Sequence, residues 1–160
     1  MTVGSMLPFD RLVAAMDHWA RQHPDASVFA QIGEGGRRPQ HIECCEMLDP
    51  AAFRRHCLDC DVIVSHLGTG TVLTAAEVGR PLVALLRRHD LREVNSDHQH
   101  AAASWLRSRL GIAVVEHEGA LGAEIERMVG CAGPQDFASA SRATLCAAVA
   151  DFLRKAVDNN

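Results

Sequence analysis

The sequence lacks the features that would commit it to spanning a membrane, to secretion or to nucleic-acid binding. No apolar run approaches the roughly 20 residues of a spanning helix, so membrane contact is expected to be peripheral or through a partner. The start has no signal-like character, and six cysteines without a secretory setting point to a reducing cytosol rather than to a disulfide scaffold. A formal net charge of -4 gives no excess of basic residues, which disfavours non-specific nucleic-acid binding. Internal repeats and low-complexity linkers are missing. Cys57-Leu58-Asp59-Cys60 has zinc-like spacing, but no second Cys/His pair follows at a finger or ribbon interval, so structural thiols are expected. Cys44 and Cys45, adjacent in an expected strand, point to opposite faces, and Cys131 and Cys146 read as small core residues. The 160 residues amount to one domain, large enough to bury a core without staples.

What is present is concentrated in Asp61 to Pro81, DVIVSHLGTGTVLTAAEVGRP. Asp61 to Ser65 is a short, β-branched apolar run of the kind that fills a parallel sheet. His66 to Gly70 then makes a turn of small residues, and a helix is expected to begin near Thr69 to Thr71. Its first backbone N–H groups have no internal partners and sit at the positive end of the helix dipole. With the Thr69 and Thr71 hydroxyls they suit a diphosphate held without a metal. Gly79-Arg80-Pro81 ends the helix, because glycine accepts a left-handed cap and proline cannot continue the ladder. Spacing alone leaves two readings open, a phosphate site or a plain connector between strand and helix. A dinucleotide fingerprint is disfavoured, since Leu73 stands where a third glycine would fall, and the Walker sequence is absent.

Elements alternate along the chain. Met1 to Val3 reads as a short first strand ending at Gly4-Ser5, and Phe9 to Gln22 as a helix with Leu12, Val13, Met16 and Trp19 on one stripe. Strands are expected at 27–32, 41–45 and 82–86. The strand at 27–32 is closed by the turn Gly33-Glu34-Gly35-Gly36, with Glu34 exposed. Asp49 caps a helix with Pro50 at its first position and Phe53 inward. Arg87 to Ser96 is a polar loop, a helix spans 97–110, Ile112 to Val115 makes a last strand, and 120–129 and 136–157 close the chain as helices. The fold class is therefore α/β, a Rossmann-like parallel sheet with helices on both faces. Ligands of such sheets sit beyond the carboxyl ends of the strands, which gathers Gly4-Ser5, Gly33 to Gly36, His66 to Gly70 and Arg87 to Gln99 at one edge.

Thr2-Val3-Gly4-Ser5 with Pro8-Phe9-Asp10-Arg11-Leu12, Val28 to Gly33, Ser65 to Thr71, Gly79 to Val83, Arg87-Arg88 and Asp97-His98-Gln99 follow one another in an order that resembles the C-terminal, donor-binding domain of glycosyltransferase family 28. The likeness covers residues 1 to about 118. It is greatest to the stand-alone version, the catalytic subunit of two-piece transferases, which include the dolichol-linked N-acetylglucosamine transferase of eukaryotes and PssE/EpsF-type subunits of bacterial exopolysaccharide clusters. The C-terminal helices, 119–160, carry no matching motif.

The resemblance implies the C-terminal half of a GT-B fold and inverting transfer of a sugar from a UDP-sugar, with no metal or other cofactor. Gly68, Thr69, Gly70 and Thr71 would hold the diphosphate, stabilising the leaving charge, and Gly4 and Ser5 would approach it from the first loop. Asp97, His98 and Gln99 would read the donor sugar, with Gln99 the strongest candidate because an amide both donates and accepts. His98 and His100 are also consistent with a solvated helix start. Where the family commonly has an acidic residue for the ribose this chain has Thr74, so Thr74, or Glu77 one helical turn on, would take that contact. The asparagine that often follows the Asp-His-Gln motif is replaced within Ala101 to Ala103, and the first strand is short. His66 is open between a catalytic role and a core-edge histidine bonded to a backbone carbonyl. Arg87 and Arg88 are open between pairing with donor phosphates or an anionic lipid carrier and a solvated loop.

A complete GT-B enzyme needs two domains, so the resemblance also implies a membrane-anchored acceptor-binding subunit. That partner would present a polyprenyl-diphosphate-linked saccharide, and the chain would be cytoplasmic and peripheral at the inner membrane face. The helix at 136–157 is either a docking element or packs over the sheet. The main alternative is a non-catalytic accessory subunit of the same fold. A nucleotide-sugar epimerase is opposed by chain length, and a nicotinamide enzyme by the missing third glycine.

Overall fold

The computed structural model describes residues 1–94, 106 and 112–133. The readings at 97–100 and the helix expected at 136–157 lie outside these residues, as does the helix expected at 97–110 apart from Leu106, which is helical.

The helices are α1 (Asp10–Gln22), α2 (Pro50–Asp59), α3 (Thr69–Val78) and α4 (Leu121–Met128), with a short 3-10 turn at Glu118–Ala120 before α4. The strands are β1 (Phe29–Gln31), β2 (Glu43–Cys45), β3 (Ile63–His66), β4 (Leu82–Leu85) and β5 (Ala113–Val115). Each pairing is parallel: β1 with β2, β3 with β4, and β4 with β5. The expected first strand is reduced to Thr2, which bridges Gln31 of β1 on one side and Ser65 of β3 on the other. Thr2 N–H donates to Val64 O at 2.9 Å and Val3 N–H to Gln31 O at 3.0 Å. With that bridge counted as strand one, the spatial order is 3-2-1-4-5-6, the doubly wound order whose direction reverses between strands one and four.

The residues dictate these elements locally. Leu82 to Leu86 is apolar at every position and fully buried, because a central parallel strand has protein on both faces. Its side chains alternate. Val83 and Leu85 join one cluster with Phe9, Leu12, Val13 and Met16 of the α1 side and Leu121, Ile125 and Met128 of α4. Leu82, Ala84 and Leu86 join the other with Cys57 of α2 and Val72 and Ala75 of α3. Burying each such aliphatic side chain stabilises the fold by about 1.5–3 kcal/mol. Asp49 Oδ1 accepts from Ala52 N–H at 2.8 Å with Pro50 at the first helical position, as expected. Gly79 closes α3 in the left-handed conformation, φ 67°.

The connection from β1 to β2 contains no helix among its residues 32–42. It runs along α1 and is tied there by two carboxylates: Asp10 Oδ1 accepts from Arg37 N–H at 3.0 Å, and Asp17 Oδ1 from the amides of Gln40 and His41 at 2.9 and 2.6 Å. Cys57 is buried, and burial pushes its thiol up to about 11, which keeps it protonated. Cys131 corrects the expectation of a core residue. It is exposed after the end of α4, where Gly130 turns the chain outward at φ 79° and the Sγ bonds Arg127 O.

Candidate functional site

The carboxyl ends of strands one and four open onto a crevice of about 600 Å3. Gly4, Ser5, His66, Gly68, Thr69, Gly70, Thr71, Thr74 and Arg87 all line it, although the sequence separates them by more than eighty positions. One wall is the start of α3. Gly68 is its N-cap and makes no side-chain cap, and the first helical bond runs from Val72 N–H to Gly68 O at 3.0 Å. The amides of Thr69, Gly70 and Thr71 therefore precede the ladder and carry the positive end of the helix dipole into the crevice. Thr69 and Gly70 are exposed there, while Thr71 is buried.

The floor is built around His66. A Cβ on Gly4 would lie 2.5 Å from His66 Cε1, and one on Gly68 would overlap His66 Nε2. The imidazole thus fills the space left by two missing side chains, and Gly4 additionally needs its φ of 81°. Nδ1 faces Ser65 Oγ at 3.4 Å, rather than the backbone carbonyl expected for a core-edge histidine. Burial, reinforced by the nearby Arg87 charge, lowers the His66 pKa to about 4, so the ring is neutral at physiological pH.

Arg87 is 5% exposed, which overturns the solvated-loop reading at this position. Nη1 donates to Pro8 O at 2.8 Å and Glu93 O at 3.1 Å, and Nη2 to Val3 O at 3.0 Å and Leu7 O at 2.8 Å. The guanidinium also lies 4.5 Å above the Phe9 ring. Its Nη protons serve the protein's own carbonyls, so Arg87 shapes the first loop from behind. Burial holds its pKa below the ordinary arginine value, an effect opposed by Glu93.

Arg88 and Glu77 lie outside the crevice, the other of the readings left open at each. Arg88 does not face the crevice: its guanidinium turns outward to Asp90, with Nε at 3.0 Å from Oδ1, because the chain folds back tightly through Arg92 at φ 57°. Glu77 lies on the outer side of α3 and pairs with Arg54 at 3.5 Å, three residues and so about a helical turn past the crevice-lining Thr74. The Thr74 hydroxyl itself donates to Gly70 O at 3.0 Å.

Sequence reasoning missed three supports. Gln31 is 6% exposed; its Nε2 donates to Gly4 O at 3.1 Å and its Oε1 accepts from Leu48 N–H at 3.3 Å, fixing the glycine turn from the neighbouring strand. Glu93 accepts both Nε and Nη2 of Arg11, at 2.9 and 2.8 Å, and the Arg88 amide at 2.8 Å. Arg11 also reaches Glu118 at 2.8 Å and Leu86 O at 2.6 Å, tying α1, the end of β4 and the start of the 3-10 turn together. Gln31 in a strand and Arg11 in a helix were the available signal, but their partners, Glu93 in a loop among them, are distant in sequence. The rim is apolar, with Met6, Leu7 and Met47 exposed.

Among the described residues no three His, Cys, Asp or Glu side chains gather as a metal site, and no helix is long and apolar enough to cross a membrane. No protein-family model matches the chain, and no curated protein matches it in sequence. Solved structures do. The glycosyltransferase SnogD from Streptomyces nogalater superposes with a TM-score of 0.51 at 25% identity over 80% of this chain and 33% of its own. The glycotransferase of kitacinnamycin gives a TM-score of 0.46 at 18% identity over 81% of this chain and 37% of its own. The chain spans about a third of the length of these proteins. By structure it is a glycosyltransferase-like α/β domain that matches part of the GT-B architecture.

Proposed function

We propose that this chain is the donor-binding catalytic subunit of an inverting glycosyltransferase that moves a sugar from a UDP-sugar to a polyprenyl-diphosphate-linked acceptor in exopolysaccharide or cell-surface glycan synthesis. The observation that carries the reading is the row of α3 amides, Thr69 to Thr71, opening into a crevice where the strand order reverses. Those amides and the Thr69 hydroxyl hold the diphosphate, with Gly4 and Ser5 approaching from the first loop and no metal. As the bond to the anomeric carbon breaks, negative charge grows on the departing diphosphate, and donors already aimed at it stabilise that charge without reorganising. His66, a neutral imidazole between the two glycine loops whose burial disfavours its cation, is the catalytic candidate as a hydrogen-bond partner rather than as a strong base. Gln99, with Asp97 and His98, reads the sugar hydroxyls, and Thr74 is the remaining ribose contact. A membrane-anchored subunit supplies the acceptor half, so the chain works at the cytoplasmic membrane face.

A Cβ at Gly70 meets no atom within 4 Å, so substitution there leaves the fold intact while occupying the crevice. Calorimetry should show UDP binding to the wild type in the presence of a chelator and none to Gly70→Glu, whose carboxylate suits a helix start but repels a diphosphate. Equal UDP affinity in both proteins would refute the site. A second reading, a non-catalytic accessory subunit, is favoured by the outward Glu77 and by the Thr74 hydroxyl already bonded to Gly70 O. It expects no UDP-sugar binding by either protein.

A further inference from the structure

A second cavity, of about 280 Å3, lies between α1 and the extended connection from β1 to β2, and it shares no lining residue with the crevice. Three arginines, Arg21 of α1 and Arg37 and Arg38 of the connection, form its wall with His18. Four of the arginines elsewhere have carboxylate partners, Arg11 with Glu93 and Glu118, Arg54 with Glu77, Arg88 with Asp90 and Arg127 with Glu124, while Arg80 and Arg87 donate to backbone carbonyls. The three at this cavity have no carboxylate partner among the described residues. Arg21 reaches only His18 Nδ1, at 3.5 Å, and Arg37 bonds Asp10 through its backbone amide.

The one carboxylate in the wall is already engaged. Asp17 accepts the amides of Gln40 and His41 through Oδ1 and faces His41 Nδ1 at 3.1 Å through Oδ2. Burial alone would raise its pKa, but those hydrogen bonds leave it below the ordinary carboxylate value, so it stays charged and bound to the connection. In a chain whose formal charge is -4, three guanidinium groups against one carboxylate leave this concavity net positive, and an anion placed among the arginines relieves their mutual repulsion. The planar, forked donors of arginine match phosphate oxygens in pairs.

We propose that the cavity between α1 and the β1–β2 connection binds a phosphate group through Arg21, Arg37 and Arg38. The group is carried either by an anionic phospholipid headgroup or by free phosphate. The site stands independently of the crevice and of the activity proposed for it.

The full chain carrying Gly70→Glu, which silences the crevice, is titrated with inorganic phosphate and floated with vesicles of phosphatidylglycerol in phosphatidylcholine. Salt-sensitive binding to one of these probes is expected, falling about tenfold or more in Arg37→Ala/Arg38→Ala and only in part in the double lysine variant, which keeps charge without the fork. Arg37 and Arg38 are exposed, so the melting temperature should hold; Arg21→Ala provides an independent second variant. Vesicle binding that exceeds binding of free phosphate identifies a headgroup, and the reverse identifies a soluble phosphate. No binding of either probe, or binding indifferent to the arginine substitutions, overturns the proposal. Unchanged UDP affinity of Arg37→Ala/Arg38→Ala in the otherwise wild-type chain separates this site from the crevice.

Discussion

Arg87 and Val3 are joined by a hydrogen bond of 3.0 Å across 84 positions of sequence, from Nη2 to the carbonyl just before the first glycine turn. The same guanidinium holds Leu7, Pro8 and Glu93 by their carbonyls. Replacing it by methionine strands these acceptors in a buried place. Arg87→Met should lose about 3 kcal/mol or more in urea denaturation. Arg87→Lys should recover only part, since an ammonium offers three donors from one point. A loss within a few tenths of a kcal/mol would show that the loop does not depend on this residue.

Gly68 and Gly4 leave room for one imidazole. Gly68→Ala should therefore cost about 1–3 kcal/mol by overpacking against His66. The cost should largely vanish when His66→Ala is added, because the ring that the new methyl group meets is gone. A double-mutant cycle measures the coupling; strictly additive effects would contradict the packing described.

His66 also makes stability depend on pH. Its folded value of about 4 lies below the ordinary 6.5, so the unfolded chain takes up a proton first. The contribution is fully present above pH 6.5 and is lost as pH falls toward 4, by about 3 kcal/mol in total. His66→Asn should flatten the stability profile across that window. Parallel profiles for the two proteins would show that the ring titrates normally.

Asp17 organises the only described interstrand connection that has no helix of its own. Asp17→Ala removes the acceptor of the Gln40 and His41 amides, and should cost about 1–2 kcal/mol. Hydrogen exchange should accelerate at those two amides before it does so in β4. Unchanged protection would mean that packing along α1 holds the connection without the carboxylate.

Local chemistry made much of this architecture readable. Asp49-Pro50 and Gly79-Arg80-Pro81 act within one turn of themselves, and the Leu82 to Leu86 run can be accommodated only where both faces are covered. The crevice was legible as a place because loops following parallel strands share an edge. Thr2 was harder to read, since a single bridging residue makes an entire strand only when Gln31 and Ser65 flank it. Cys131 was misread because its hydrophobic character said nothing of the outward turn at Gly130.

Sequence by itself settled the alternation of elements, the glycine turn before α3 and the helix start that faces it, all consequences of periodicity and backbone preference over a few residues. Only tertiary structure decided that Arg87 is buried while Arg88 is exposed, that Glu77 turns away, and that His66 occupies the volume of two absent side chains. Those outcomes depend on carbonyls, charges and free space contributed from distant parts of the chain, and adjacent residues of the same type meet different surroundings once the chain folds.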